Sequence, residues 1–317
     1  MNKPLVSTIT PCFNMKRYLK TFLEWLPKQT FFEKLEVVLD HNEPDAEEIQ
    51  WVKEFQQQYP NRLKHIIVEK VDPIGTSMNR CIKESSGDFL TIWNIDDLRT
   101  DNSIELQANL LTNNSNLDIA YGNYIVVNEF GKTTGKLIEH KDIPRSELTR
   151  GMIIGPFFMF RKSLCDKAGF FDEHLKQGPD FDLAIRLAIH GKAEMISEGL
   201  GYYLNERMGA STRPGTLQPV ERIVIELRYG IYDEIDYSFL PQATQYNFQN
   251  ILEFGQWNHI SKYIPNYKDF IETRKKKWFN AGIKNYSKII SKENNTLYKK
   301  TCLLKSHVKH FFAEKGQ

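Results

Sequence analysis

The chain has 317 residues, 41% apolar and 26% charged, the balance of a soluble globular protein with one large or two medium domains. Its four cysteines (Cys12, Cys81, Cys165, Cys302) show no Cys-x-x-Cys spacing, which argues against a zinc site or a disulfide framework and fits a reducing compartment. The net charge of +2 is uneven: residues 274–317 hold 12 Lys/Arg against 2 Glu, a net of +10, so residues 1–273 carry −8.

Leu5–Thr10 is too short for the apolar core of a signal peptide, and Gly151–Phe160 falls far below the ~20 residues of a membrane span. A cytoplasmic protein is expected, peripheral at most at the inner face of a membrane. Leu5–Pro11 reads as a first strand. Asn14 is placed to cap a helix over Lys16–Gln29, whose Leu19, Phe22, Leu23 and Leu26 share a face. Leu35–Asp40 is a second strand, Ala46–Tyr59 a helix, Leu63–Val68 a third strand, Thr76–Ser85 a helix and Phe89–Trp93 a fourth strand. Alternating strands and helices predict a parallel sheet built from βαβ units.

The pattern changes after residue 101. A helix over Asn102–Leu111 leads to a strand over Leu117–Asn128, with a hairpin turn at Glu129–Lys132. Met152–Arg161 reads as an apolar strand. Ser163 is placed to cap a short helix to Ala168, and Asp180–His190 is a helix. The glycine-, serine- and arginine-rich stretch Gly199–Gly215 reads as a mobile loop. From Leu217 a helical extension is expected, with stripes at Val220, Ile223, Val224 and Leu227 and at Phe248, Ile251, Leu252 and Ile260. Residues 274–317 read as a basic amphipathic helical tail, suited equally to an anionic membrane surface or to packing on the body.

The stretch Thr91–Asp97 is where chemistry concentrates. A buried strand ends there in two adjacent carboxylates, Asp96 and Asp97. In open α/β sheets ligands bind beyond the carboxyl ends of the strands. Neighbouring aspartates repel unless solvent or a cation intervenes. A hard divalent ion, Mg2+ or Mn2+, takes such oxygen ligands and shares them with phosphates. A solvated turn is the plainer reading of the pair in isolation.

In order along the chain, Val6–Asn14, Leu35–Asn42, Gly75 with Asn79-Arg80, Ser86–Phe89, Asn94–Asp97, Phe160–Ser163 with Gly169–Asp172, and Gly178–Leu183 resemble an inverting family 2 glycosyltransferase of GT-A fold. The resemblance covers about residues 4–213. It implies a GT-A domain over 1–215, with a nucleotide-sugar half (1–100) built on a Rossmann-like sheet and an acceptor half (101–215) with a mixed sheet. Residues 216–273 are then the helical extension and 274–317 the tail. The resemblance further implies that Pro11, Phe13, Asn14, Asp40, His41, Asn79, Arg80, Asn94 and Asp96 line the nucleotide-sugar site. Phe13 would stack on the base and Asp40 would accept from base or ribose. Asp97 would ligate Mn2+ or Mg2+, which bridges the diphosphate, and Asp180 would be the general base. Arg207 and Arg213 are candidate diphosphate contacts. The acceptor would be a hydroxyl on a glycan or a lipid-linked glycan.

This chain departs from the family pattern at two acids. His41 stands where many relatives carry an aspartate that reads uracil, so UDP leads, with dTDP and GDP close behind. Asn94 replaces the first acid of the metal motif. The segment Asn205–Gly209 also lacks the histidine often found near that point. A sugar nucleotidyltransferase would need a glycine-rich loop after the first strand, and a nicotinamide dehydrogenase a Gly-x-Gly-x-x-Gly turn; the chain has neither. The alternative from another class is a catalytically inactive GT-A fold used as a carbohydrate-binding or scaffold module. Nucleic acid is an unlikely partner because the tail lysines sit in no recognisable module.

Overall fold

A computed structural model describes residues 3–141, 145–206, 215–232 and 235–277. Its centre is a nine-stranded sheet. The strands are β1 (Val6–Phe13), β2 (Leu35–Asn42), β3 (Leu63–Val68), β4 (Phe89–Ile92), β5 (Leu98–Arg99), β6 (Ile119–Val127), β7 (Lys136–Ile138), β8 (Met159–Arg161) and β9 (Ala193–Leu204). They lie in the order β3-β2-β1-β4-β8-β6-β9-β5, with β7 also paired to β6. The first four strands are mutually parallel, as the βαβ pattern predicts. β8 runs antiparallel between β4 and β6, so the second half is mixed.

Helices cover both faces: α1 (Lys16–Trp25), α2 (Ala46–Gln58), α3 (Ile74–Glu84), α4 (Ser103–Asn113), α5 (Arg145–Leu148), α6 (Cys165–Ala168) and α7 (Pro179–His190). Successive strand side chains alternate between faces. Val37 and Leu39 therefore join Leu19, Phe22, Val52 and Phe55 in one core, whereas Val38 joins Met78, Ile82, Leu183 and Leu187 in the other. All eight residues of β2 are buried, the polar Glu36, Asp40, His41 and Asn42 as well as Leu35, Val37, Val38 and Leu39. α2 starts with a capping box in which Asp45 accepts from the Glu48 amide and Glu48 answers to the Asp45 amide.

Several elements differ from the sequence reading, each for a local reason. Asn14 does not cap α1: it takes a left-handed φ of 54° at the exit of β1, and Met15 occupies the cap position without a side-chain bond. The apolar run 152–161 is extended only over its last three residues, because Gly155 turns the chain at φ 68°. Gly199–Leu204 is not loop but the end of β9, paired to both β6 and β5. Its glycines reflect close packing: a Cβ at Gly201 would lie 2.5 Å from the Phe157 ring and 2.8 Å from the Leu98 carbonyl. Residues 207–214 lie outside the described residues.

After them come α8 (Gln218–Tyr229), the short α9 (Leu240–Ala243), and a hairpin of β10 (Asn250–Glu253) and β11 (Gln256–His259). The helical reading holds for α8, and Ile260 opens a single 3-10 turn (Ile260–Lys262), but Phe248 is in no helix and Ile251 and Leu252 are in a strand. Ile251 and Leu252 are on a strand whose inward and outward positions alternate, a pattern two short segments can share with a helix. This part belongs to the same compact unit as the sheet. Residues 268–277 begin a second unit and are helical, and the rest of the tail lies outside the described residues. Among the described residues no helix is long and apolar enough to cross a membrane.

Candidate active site

The carboxyl ends of β1, β2 and β4 meet on one edge of the sheet. β1 pairs with β4 up to Ile9–Ile92 and with β2 up to Phe13–Asn42, so its last four residues run past the end of β4. The chain leaving β4 turns there through Asn94–Asp97, and the Asp97 amide donates to the Asn94 carbonyl at 3.2 Å. Trp93 is 1% exposed and its indole N–H bonds the Asp97 carbonyl at 2.9 Å, which pins the turn from below.

Asp97 is buried at 4% exposure. Its Oδ1 accepts from the Leu204 amide at 3.1 Å and its Oδ2 from the Asn94 side chain at 3.3 Å. Burial, reinforced by the charge of Asp96, holds its carboxyl well above the usual range. Asp96 is raised too, by burial and then by Glu206. Glu206 itself is held by Arg17 and by the Tyr18 hydroxyl. Beneath the acids lies Arg99, 0% exposed, bonded to Gln107 at 3.0 Å and to the Ile92 carbonyl at 3.1 Å. Its guanidinium lies over the Trp93 and Phe157 rings, 5.5 and 5.2 Å from their centroids. Burial pulls Arg99 down to about 9, with Asp97 opposing. The desolvated Arg99 thus lies near Asp97, and Asp96 crowds that same carboxyl, a local excess of acidic groups.

That excess, together with oxygen donors from Asn94, Asp96 and Asp97, fits a hard divalent cation that completes its shell with phosphate oxygens. Among the described residues no group of three or more His, Cys, Asp or Glu side chains is arranged to hold a metal by itself.

At the tip of β1, Phe13 is 48% exposed. Pro11 is half-buried, in register with Asp40. Asp40 is fully buried and already engaged: Arg80 donates through Nε at 2.5 Å and through Nη2 at 3.2 Å, and Asn42 donates at 2.8 Å. Arg80 also reaches Asp72 at 2.8 Å, so it joins β2 to the segment before α3. His41 points to the other face, 3.6 Å from Glu48 and 3.2 Å from His65. Burial depresses both imidazoles, His65 to about 4, so both are neutral at physiological pH. Asn79 is 1% exposed and spends its amide on Phe171 and Glu173. Asp40, His41, Asn79 and Arg80 are thus bonded within the fold, and Phe13 is the open aromatic of this end. Arg207 and Arg213 lie outside the described residues.

Asp180 sits in the first turn of α7, where Pro179 at the helix start suits the fixed backbone. It is not the cap, which is Gly178; its Oδ1 accepts from the Phe181 amide at 2.9 Å. Burial raises its carboxyl, and Glu221 adds to the shift. Glu221 on α8 is fully buried and accepts from the amides of Lys176, Gln177 and Gly178 at 2.8–3.1 Å. Asp182, two residues on, faces Arg186 and Arg228 instead.

The sequence reading missed Arg99, Glu221 and Arg228. Arg99 carried a faint signal, a charge between Leu98 and the next strand residues. Glu221 and Arg228 lie on α8 amid apolar neighbours and are recognisable only through their distant partners.

Comparison with known proteins agrees with this layout. The model of "Glycosyl transferase family 2" matches residues 7–169. The Escherichia coli UDP-Glc:alpha-D-GlcNAc-diphosphoundecaprenol beta-1,3-glucosyltransferase WfgD is 27% identical over 155 residues, covering 49% of this chain and 59% of that protein. An uncharacterized glycosyltransferase of Rickettsia felis is 26% identical over 194 residues, 58% of this chain but only 31% of that protein. S. aureus TarS 1-349 in complex with UDP-GlcNAc superposes with a TM-score of 0.57 at 18% identity, over 76% of this chain and 70% of that one. The Pyrobaculum calidifontis mannosyltransferase PcManGT, in complex with GDP-Man and Mn2+, covers 99% of this chain and 87% of its own at a TM-score of 0.54 and 12% identity. The architecture is that of GT-A glycosyltransferases, and the chain belongs to glycosyl transferase family 2.

Proposed function

We propose that this protein is a metal-dependent, inverting glycosyltransferase that moves a sugar from a nucleoside-diphosphate donor, UDP-sugar first, to a hydroxyl of a glycan or lipid-linked acceptor. The observation that carries the reading is the pairing of an exposed Phe13 with the buried, negatively crowded Asn94–Asp97 turn on one sheet edge. A nucleotide sugar needs a flat apolar surface for its base and an oxygen-rich cation site for its diphosphate. UDP- and GDP-sugars appear in the names of the similar proteins, which supports the donor class.

In this reading Phe13 stacks on the base, Asp97 with Asp96 and Asn94 holds Mn2+ or Mg2+, and Arg99 offsets part of the carboxylate charge. The bound cation supplies neutralisation of the departing diphosphate. Asp180 takes the proton of the acceptor hydroxyl while that oxygen attacks the anomeric carbon opposite the diphosphate. A single displacement inverts the configuration, unlike the two-step covalent route. A carboxyl raised by burial is a stronger base than a solvated one, provided it is ionised at the working pH. The +10 stretch 274–317 is proposed to meet anionic lipid, where a lipid-linked acceptor would reside.

The test is a thermal-shift panel of UDP, dTDP and GDP with and without Mn2+. A ligand that binds only the folded state raises the melting temperature by mass action. A manganese-dependent shift with one nucleotide supports the donor site and names its base. No shift with any nucleotide, with or without manganese, sinks the reading.

A further inference from the structure

The segment before Asp180 and the β10–β11 hairpin carry aromatic rings that the donor site does not use. Phe254 and Trp257, in and beside the hairpin turn, are each 48% exposed. Trp257 meets His174 edge-on with ring centroids 5.1 Å apart, and His174 meets Tyr246 at 5.3 Å. Phe254 meets Phe170 at 5.0 Å and 68°. Phe254 also takes a left-handed φ of 49°, which a bulky side chain rarely adopts.

The frame beneath these rings is firmly bonded. Glu173 accepts from the Phe254 amide at 3.0 Å and from the Gly255 amide at 3.1 Å. The Glu173 amide donates to the Leu252 carbonyl at 2.8 Å, and the Leu252 amide to Asp172 at 3.0 Å. The rings are thus presented to solvent by a fixed support. The Trp257, His174 and Tyr246 rings are also joined to the segment of Asp180: the Tyr246 hydroxyl donates to Glu221 at 3.3 Å, and Glu221 holds the amides that run into Asp180.

This arrangement suits a carbohydrate. A pyranose has an apolar C–H face and a rim of hydroxyls. Edge-on packing against His174 leaves a face of the Trp257 ring open to such a C–H face, in keeping with its exposure. A lipid surface takes instead a continuous apolar face bordered by cations.

We propose that Trp257, with His174 and Tyr246 packed behind it, forms an acceptor subsite that stacks a pyranose ring of a glycan next to Asp180. The assignment of this shelf to the acceptor rests on the transferase reading above; its binding of saccharide does not. The first test is ligand-observed saturation-transfer NMR on the full chain, with the methyl β-glycosides of glucose, galactose and N-acetylglucosamine as probes. At least one glycoside is expected to receive saturation at its ring C–H protons from the wild type. Trp257→Leu should lose most of that signal, and Trp257→Phe should keep it, because only the latter retains an aromatic face. A second test follows transfer to a glycan acceptor: Trp257→Leu should raise acceptor KM about tenfold with kcat within about twofold, the size of one lost stacking contact.

Equal saturation by wild type and folded Trp257→Leu, or none with any glycoside, overturns the shelf. So does Trp257-dependent binding to vesicles of phosphatidylcholine and phosphatidylglycerol without saccharide contact. Trp257-dependent saccharide binding in a chain that binds no nucleotide keeps the shelf and removes the transferase reading. Nucleotide binding without saccharide contact does the reverse.

Discussion

Arg228 on α8 donates to Asp182 on α7 at 2.6 Å, with both side chains fully buried. The same guanidinium lies 2.9 Å from Asp172 and reaches the carbonyls of Phe248 and Asn250. Asp182 also binds Arg186 and the Tyr229 hydroxyl. Burial alone would raise the Asp182 carboxyl, but Arg186 and Arg228 bring it below the ordinary value. This network fastens α8 and the hairpin to the helix that carries Asp180. Removing one partner of a buried pair leaves an uncompensated charge, at a cost of about 3–5 kcal/mol. Arg228→Met should therefore lower Tm by about 5–8 °C. Calorimetry checks this; a loss under 2 °C would be too small for a buried network. Because its carboxyl is depressed, Asp182 contributes stability above the ordinary aspartate range, and that contribution is lost as pH falls through the depressed value.

Glu221 acts on Asp180 at one remove. It holds three successive amides that end two residues before Asp180, and its charge helps keep the Asp180 carboxyl raised. Glu221→Gln keeps an acceptor oxygen but removes the charge. The groups that set Asp180 are its burial, the Phe181 amide, its own amide and Glu221, so losing the last should lower its pKa. In the proposed mechanism transfer needs Asp180 ionised, so activity should fall as pH drops through that pKa. The acid limb of the kcat profile should therefore move to lower pH in Glu221→Gln, whereas a purely structural role would lower the plateau without moving the limb.

Much of the first half of the sheet was legible because its signals are local. Strands β1 to β4 are short apolar runs bounded by helices of matching period, and the Asp96-Asp97 pair ends a strand where ligands bind. What escaped the sequence depends on partners far along the chain. Gly201 looks like loop glycine, yet it is a strand residue because Phe157 occupies the place of a side chain. Asp40, Asn79 and Arg80 fit a nucleotide site by motif order, but their polar atoms are taken by one another or by Asn42, Asp72, Phe171 and Glu173. Ile251 and Leu252 read as helix because a strand of four residues has too few repeats to declare its period.

The two acids assigned to different steps should separate kinetically. Asp180→Asn removes the proton acceptor and should lower kcat about 10²–10⁴-fold with donor affinity nearly unchanged. Asp97→Ala removes the buried carboxylate of the cation site and should weaken nucleotide binding in the presence of Mn2+, with little effect in its absence. Titration of nucleotide by calorimetry, paired with turnover, distinguishes them. Near-normal turnover in Asp180→Asn would show that the base lies elsewhere.

Phe13 offers the most direct reading of the nucleotide. It is the exposed aromatic at the end of β1, held beyond the reach of β4 by the strand register, whereas both oxygens of the buried Asp40 are engaged by Arg80 and Asn42. Base–aromatic stacking contributes about 1–3 kcal/mol, so Phe13→Ala should weaken nucleoside diphosphate binding about 10–100-fold. Phe13→Tyr keeps the ring and should retain most of the affinity. Since stacking tolerates any base, the loss should be similar for UDP, dTDP and GDP, leaving their ranking intact. Isothermal titration of all three nucleotides against wild type, Phe13→Ala and Phe13→Tyr checks both points. Equal loss in the alanine and tyrosine variants would mean that the site needs the size of phenylalanine, not its face, and the base would have to stack elsewhere.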